Sequence, residues 1–405
     1  MNFQKKILIL TIGWLIPLLT IGQTRITGQQ DYNPISVAVP FLGFAPDSRG
    51  SAMGDAGVAT SPDAQSIHWN NAKLAFIDKD MGFSMSYSPW LGNIVDDMSL
   101  NYLSFYKKID PIQSFGASLR YFDLGEIQLT SITGAPEGIE NPRELAIDAT
   151  YSRKLLENLS GGLSIRYIWS NLTGNSTGAA SANTGKSLAF DLGVYYITPI
   201  AVKGLATDLS VGLHFSNIGQ KISYTSEEYE DFIPANLRVG AAWKINVDDY
   251  NSFTMAFDVN KLMVPTPPIY VKDSDGNLVY DSNGDLTIES GKDPNRSFLK
   301  GTFGSFGDAP DGASEELKEF TYSIGVEYWY REIVAVRTGY FIESQYKGDR
   351  KYATVGLGLR YQVFGFDFSY LIPKDQNNPL GDTLRVSFLF NFDKKQSPKP
   401  PRNVG

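Results

Sequence analysis

The 405-residue chain has no cysteine and only two histidines, His68 and His214. The first absence excludes disulfides, thiolate metal ligands, a cysteine nucleophile and a lipoprotein anchor together. The second argues against a histidine-rich metal site. Positive charge is also scarce: 36 Lys and Arg against 44 Asp and Glu give a net charge of −8. No basic stripe of the kind a nucleic-acid surface needs runs along the chain. Mean hydropathy is −0.19, so no bundle of membrane helices is hidden here. Walker loop, dinucleotide glycine pattern, zinc signature and nucleophile elbow are all missing. The nearest approach, Gly162-Leu163-Ser164, continues into Ile165-Arg166 within a strand pattern. Carboxylates are plentiful but nothing singles out a catalytic pair. No cofactor and no conventional enzyme activity are expected.

One apolar run does occur, at the start. Lys5 and Lys6 precede an apolar stretch from Ile7 to Ile21, and Gly22 is a small residue at a cleavage position. That is the layout of a secretory signal peptide over residues 1–22. The mature chain then begins at Gln23.

After residue 80, period-2 alternation returns again and again. Met81, Phe83, Met85 and Tyr87 alternate with Gly82, Ser84, Ser86 and Ser88; Leu188, Phe190, Leu192 and Val194 behave alike. The pattern predicts about 14 strands of about ten residues, the length that spans a bilayer when tilted. Arg120, Asp148, Arg166, Asp191, Arg238 and Arg360 all fall on the weaker face. In a transmembrane barrel that face is the lumen, where charge is tolerated. Aromatics reach 13%, which suits interfacial girdles.

Connection lengths give an independent argument. Those starting near Leu124, Asn171, Asn217 and Met263 are long. Those at Lys107–Gln113, Lys154–Asn158, Asn246–Asn251, Arg331–Glu332 and Gln362–Val363 are short. Long and short links alternate, as in outer-membrane barrels. An even strand count places both termini in the periplasm. The fold class expected is therefore all-β: a 14-stranded antiparallel transmembrane barrel over residues 81–392, with a short tail over 393–405. Gly125 is expected to interrupt the third strand.

Two segments stand apart. Residues 23–80 contain a Gly-, Ala- and Ser-rich stretch with Phe41, Leu42, Met53, Val58, Ile67 and Trp69, apolar side chains that need burial. This predicts a compact plug inside the barrel. The longest connection, residues 263–319, opens on a stiff Val264–Pro268 run. It then carries two acidic clusters, Asp273–Asn277 and Asp281–Asp285, around Leu278, Val279 and Tyr280. Turn chemistry is favoured over a calcium site, because neither cluster completes a calcium loop. A short helix is expected over 313–320.

The block from Arg49 to Ala59 (RGSAMGDAGVA), followed by Asp63 to Leu74 (DAQSIHWNNAKL), resembles the start of the PorV family of type IX secretion outer-membrane proteins. Phe215-Ser216-Asn217-Ile218-Gly219 and Phe257 to Leu262 (FDVNKL) extend the likeness. That family belongs to the broader FadL-like barrels, which often carry Asn-Pro-Ala where this chain has Asn70-Asn71-Ala72. The resemblance implies a 14-stranded barrel with an N-terminal plug, marked here by Arg49, Gly54, Asp55, Asp63, Asn70 and Asn71. It implies partners: a giant translocon barrel (SprA, also called Sov), secreted cargo with a C-terminal signal domain, and the PorU, PorZ and PorQ attachment complex. Outer-membrane lipid surrounds the barrel. The implied task is to collect cargo at the translocon and carry it to the sortase complex. The extracellular loop, represented by Val264, Tyr270, Tyr280, Phe298 and Phe303, is then the expected cargo or partner arm.

Two rivals remain open. A FadL-like transporter of fatty acids or other hydrophobic molecules requires an apolar pocket under the plug and a lateral opening in the wall. An outer-membrane lipid hydrolase requires a serine paired with His68 or His214.

Overall fold

The computed structural model describes residues 33–92, 95–130, 133–172, 183–202, 204–224, 230–374 and 383–393. The signal-peptide reading of residues 1–22, and the tail beyond Asp393, lie outside them.

Fourteen antiparallel strands close into a barrel. They are β1 (Met81–Pro89), β2 (Ser99–Asp110), β3 (Gln113–Asp123), β4 (Arg143–Lys154), β5 (Leu159–Asn171), β6 (Gly185–Val202) and β7 (Leu205–Gly219). The ring continues with β8 (Asn236–Asn246), β9 (Asn251–Leu262), β10 (Phe320–Tyr330), β11 (Val334–Ile342), β12 (Lys351–Tyr361), β13 (Phe364–Pro373) and β14 (Leu384–Phe392). The seam is β1 against β14, in register from Met81 with Phe392 to Tyr87 with Val386. Closure leaves no free edge, which hydrocarbon demands because it cannot hydrogen-bond an exposed backbone. Phe83 and Phe390 stack across the seam with centroids 4.5 Å apart.

The alternation sorts side chains as the sequence predicts. Met81, Phe83, Met85 and Tyr87 are exposed on the outer wall, while Ser84, Ser86 and Ser88 are buried inside. Arg120, Asp148, Arg166, Asp191 and Arg238 are all buried on the lumen side. Gly125, however, does not interrupt a strand. β3 ends at Asp123, and Gly125 follows it with φ +78 against the Asp97 carboxylate. It turns the chain into a connection that carries its own hairpin, Ile127–Thr130 with Pro136–Glu140. The wall beside it is continuous: β3 pairs with β4 from Gln113 to Asp123.

The longest connection runs from 263 to 319. It holds α1 (Phe298–Gly304) and α2 (Ala313–Lys318), the latter at the position expected. Short turns and strand ends 80–81, 107–113 and 392 form one rim; long connections form the other. Asp80 N–H donates to Phe392 O, and Lys79 pairs with Asp393, so the barrel's two ends meet at the short-turn rim.

Residues 33–80 lie in the lumen and traverse it. Asn33 is tied at the long-loop rim, its N–H to Tyr346 O and its side chain to Pro267 O and Glu315. Ala38 N–H donates to Phe232 O in the same region. Short helical turns Pro40–Gly43, Ser48–Ala52, Ser66–Trp69 and Asn71–Phe76 carry the chain to Asp80 at the opposite rim. The even strand count fixes only the barrel's ends, and Asn33 sits at the other rim from Asp393.

Candidate functional site

The plug is held by residues from all round the ring. Phe41, Leu42, Met53, Val58, Ile67 and Trp69 are all buried. Asp47 caps the Ser48–Ala52 turn by accepting from Gly50 N–H at 2.8 Å, and accepts from Trp69 Nε1 at 2.6 Å. Lys73 donates to Gly57 O and Thr60 Oγ1.

Each plug residue singled out in the sequence has a barrel partner or a local one. Arg49 meets Asp63 at 2.8 Å and Glu327 of β10 at 2.8 Å. Gly54, φ +68, donates to Thr354 Oγ1 of β12 and lies against the backbone of Tyr340. A Cβ at Gly54 would clash there, and L-residues resist that φ. Asp55 accepts from the Tyr352 hydroxyl at 2.5 Å. Asn70 donates to Val58 O and Val194 O, and its own oxygen accepts from Ala72 N–H. Asn71 donates to Ser164 Oγ at 2.8 Å and to Asp191 O. Of the other two stretches of the resemblance, the third reaches the plug and the second bonds the barrel side. Asp258 accepts from Gly57 and Val58 N–H, while Asn217 donates to Pro234 O.

Two charge ladders stiffen the lumen. One runs Arg49–Glu327–Arg337–Asp367–Arg360, joining the plug to β10, β11, β13 and β12. The other centres on Arg166, which meets Asp148 at 2.5 Å and Asp191 at 2.9 Å. Buried guanidinium groups need such partners, because an uncompensated buried charge is costly.

The long connection divides into a base and an arm. At the base, Lys261 meets Glu316 at 3.1 Å and also Glu319. Lys347 meets Glu315 at 2.6 Å and Glu319 at 3.1 Å. Burial pushes the Glu315 carboxyl up, but hydrogen bonds from Lys347, Asp311 N–H and Asn33 outweigh it and leave it below the usual carboxylate range. Val264 belongs to this base and is only 2% exposed, so it packs rather than presents. The arm begins where Tyr270 pairs with Ile288. Val279 N–H donates to Val271 O and Thr287 N–H to Val279 O, making a small ladder. Both acidic clusters are turns: Asp273 accepts from the N–H of Asp275 and Asn277, Asp281 from those of Asn283 and Asp285. Among the described residues no group of His, Asp and Glu is placed to hold a metal ion. Tyr280 at the tip is 61% exposed and Phe303 on α1 is 56% exposed. Tyr270 and Phe298 are half-buried.

Neither histidine meets a serine nucleophile. His68 Nδ1 is bonded to Arg120 at 2.7 Å, and His214 has no hydrogen-bond partner among the described residues. Between plug and long-loop rim lies a cavity of about 350 Å³, whose walls include Leu42, Phe44, Trp69, Asn236, Arg238 and Phe341. Sequence reasoning missed it, because its walls come from segments scattered over the chain.

A closed 14-strand barrel with apolar side chains on its outer wall and an internal N-terminal segment defines a transmembrane β-barrel protein. The fold matches a TodX deltaS2S3 mutant, a monoaromatic hydrocarbon channel, at TM-score 0.50 and 12% identity over 85% of this chain and 99% of that one. The P. putida toluene transporter TodX (13% identity, 86% and 99% covered, TM-score 0.47) and a Pseudomonas aeruginosa FadL homologue (12%, 89% and 99%, 0.44) are also similar. No curated protein matches the sequence. The family model for type IX secretion system protein PorV matches residues 27–269. The chain belongs to the PorV family, and so is a component of type IX secretion.

Proposed function

We propose that this protein is a carrier within type IX secretion: it binds the C-terminal signal domain of secreted cargo at the translocon and delivers it to the surface attachment complex. The long-loop rim faces the cell exterior in this reading. The giant SprA (Sov) barrel is the donor partner, and PorU, PorZ and PorQ are the acceptors, with the cleavage chemistry residing in the sortase. The chain itself is a binding protein rather than an enzyme.

One observation carries the reading. An arm with exposed apolar side chains, Tyr280 and Leu278 among them, stands on a base braced by Lys261 and Lys347, and Phe303 of α1 is exposed as well. A rigid scaffold presenting an apolar loop is built for recognition rather than for conduction. The lumen behind it is crossed by a segment bonded to the wall throughout, which favours holding over passage.

The test is purification of the tagged protein from its native membrane in mild detergent, followed by mass spectrometry. Recovery of the translocon barrel, or of secreted proteins sharing a C-terminal domain, is expected. Recovery of the barrel alone would sink the carrier reading. The cavity of about 350 Å³ favours a second reading, a transporter of small hydrophobic molecules. Bound fatty acid in a barrel purified alone would select it.

A further inference from the structure

The base of the long connection folds over the outside of the barrel. Along β9, Phe253, Met255 and Phe257 are exposed on the outer wall, while Thr254, Ala256, Asp258 and Asn260 are buried. The same alternation points Lys261 outward, in register with Phe320 of β10. Lys261 is nevertheless only 1% exposed. Its Nζ meets Glu316 at 3.1 Å and lies 5.3 Å from the Phe306 ring centroid and 5.6 Å from that of Phe320. Phe306 and Glu316 therefore cover the outer face at the top of β9 and β10.

The helix that leads into this cover, α1, has two kinds of face. Gly301 lies against Phe232 and Pro265, and Thr302 and Ser305 are buried. Leu299 and Phe303, with Phe306 just past the helix end, form a separate stripe at i, i+4 and i+7. All three are exposed. Lys300, on the stripe's far side from the buried face, is exposed too.

The lipid-facing wall leads directly to that stripe. Its successive outward pairs are Phe257 with Ile324, Val259 with Tyr322, and Lys261 with Phe320. Strands rise about 3.4 Å per residue, so the covered pair stands about 7 Å along β9 from Val259. Tyr322, Tyr340 of β11 and Tyr87 of β1 are exposed on the outer wall toward the long-loop rim. They form part of the aromatic belt that marks a membrane boundary. A lysine on the outer wall also costs least at that boundary.

We propose that α1 lies in the membrane interface at the long-loop rim, with Leu299, Phe303 and Phe306 set among lipid acyl chains and Lys300 among the headgroups. An apolar stripe with a basic flank is the pattern of a helix resting in that plane. The base then anchors the connection to the lipid surface and fixes the height at which Tyr280 is presented. The inference does not rest on the carrier reading, because barrel and lipid alone suffice to test it.

The chain has no cysteine, so Leu299→Cys, Lys300→Cys, Phe303→Cys, Phe257→Cys and Tyr280→Cys each accept one spin label. The labelled proteins are reconstituted in vesicles of phosphatidylcholine and phosphatidylglycerol, and heat-modifiable migration confirms each barrel. Power saturation compares collisions with oxygen, which concentrates among acyl chains, and with a water-soluble nickel chelate. The oxygen-to-nickel ratio at 299 and 303 is expected to lie severalfold above that at 280 and to approach that at 257. At 300 it should drop, following the helical period. Leu299→Cys carries the test if Phe303→Cys does not assemble. A ratio at the stripe equal to that at 280 would place the stripe in water and overturn the proposal. Few collisions of either kind would mean that protein covers it, a second copy included, and would overturn it as well.

Discussion

Arg49 of the plug and Glu327 of β10 meet at 2.8 Å although 278 residues separate them in sequence. Glu327 also accepts from Arg337, and Arg49 also meets Asp63. The contact therefore couples a plug turn to a ladder that crosses four barrel strands. Both side chains are almost wholly buried.

Replacing Arg49 by Met leaves Asp63 without its cation and halves the compensation of Glu327. Breaking a buried pair from one side typically costs about 3–5 kcal/mol. The barrel's own strand pairing is untouched, so the expected outcome is a loosened plug in an intact barrel. A single cysteine introduced in place of buried Ala56 reports this, since the chain has no other thiol. Its reaction with maleimide should accelerate in the Arg49→Met background while heat-modifiability persists. An unchanged rate would show that Arg49 does not restrain the plug.

Gly339 of β11 faces the backbone of Met53 and Gly54, and a Cβ there would overlap both. Backbone cannot step aside as a flexible side chain does. Gly339→Ala is expected to destabilise the assembled protein by about 1–3 kcal/mol, the usual range for overpacking. Gly307→Ala, where nothing lies within 4 Å, is the control and should be neutral. Thermal unfolding followed by heat-modifiability separates the two. Equal midpoints would refute the close approach.

The arm is separable from its base. Tyr270 pairs with Ile288, so residues 271–287 can be replaced by an Asn-Gly turn that closes the same ladder. The shortened protein is expected to assemble normally and to lose most cargo or translocon recovery in the native purification. Recovery at the native level would remove the arm from the carrier function. Deleting the base as well would confuse the result, because Glu316 and Glu319 neutralise buried Lys261.

Glu315 makes the junction between the base and the N-terminal segment sensitive to acid. Its folded carboxyl lies below the ordinary value of 4.5. A depressed carboxyl contributes stability that is present above 4.5 and is lost as pH falls through the folded value. The contacts of Glu315 with Lys347 and Asn33 should therefore hold at neutral pH and loosen below 4.5. Amide exchange over residues 33–38 is expected to rise in that acid window, and Glu315→Gln should remove the step. A step that survives the substitution would assign it to another group.

Much of the barrel was legible in the sequence, for a physical reason. A strand between lipid and lumen must alternate at period two, so Met81 to Ser88 or Leu188 to Val194 declare both their conformation and their faces. The buried positions of Arg120, Asp148, Arg166, Asp191 and Arg238 followed from the same rule. The plug was legible because Phe41, Met53 and Trp69 had no strand to sit on and still needed burial. What pairs with what was not legible. Arg49 with Glu327, or Lys261 with Glu316, depends on ring closure and on where a loop folds back, which local spacing does not encode. Val264 looked like part of a presented loop; its stiff proline-rich neighbourhood instead packs it into the base. The break expected at Gly125 failed because a left-handed glycine ends a strand as readily as it interrupts one.

The seam between β1 and β14 joins the beginning of the barrel to its end, and the plug lies inside the ring so formed. The residues that hold it come from strands made early, such as Ser152 and Ser164, and from strands made late, such as Thr354 and Ser387. A segment that reaches from one rim to the other is most simply enclosed rather than threaded. Assembly then resembles staves raised around a core already in place, with the final stave locking the contents.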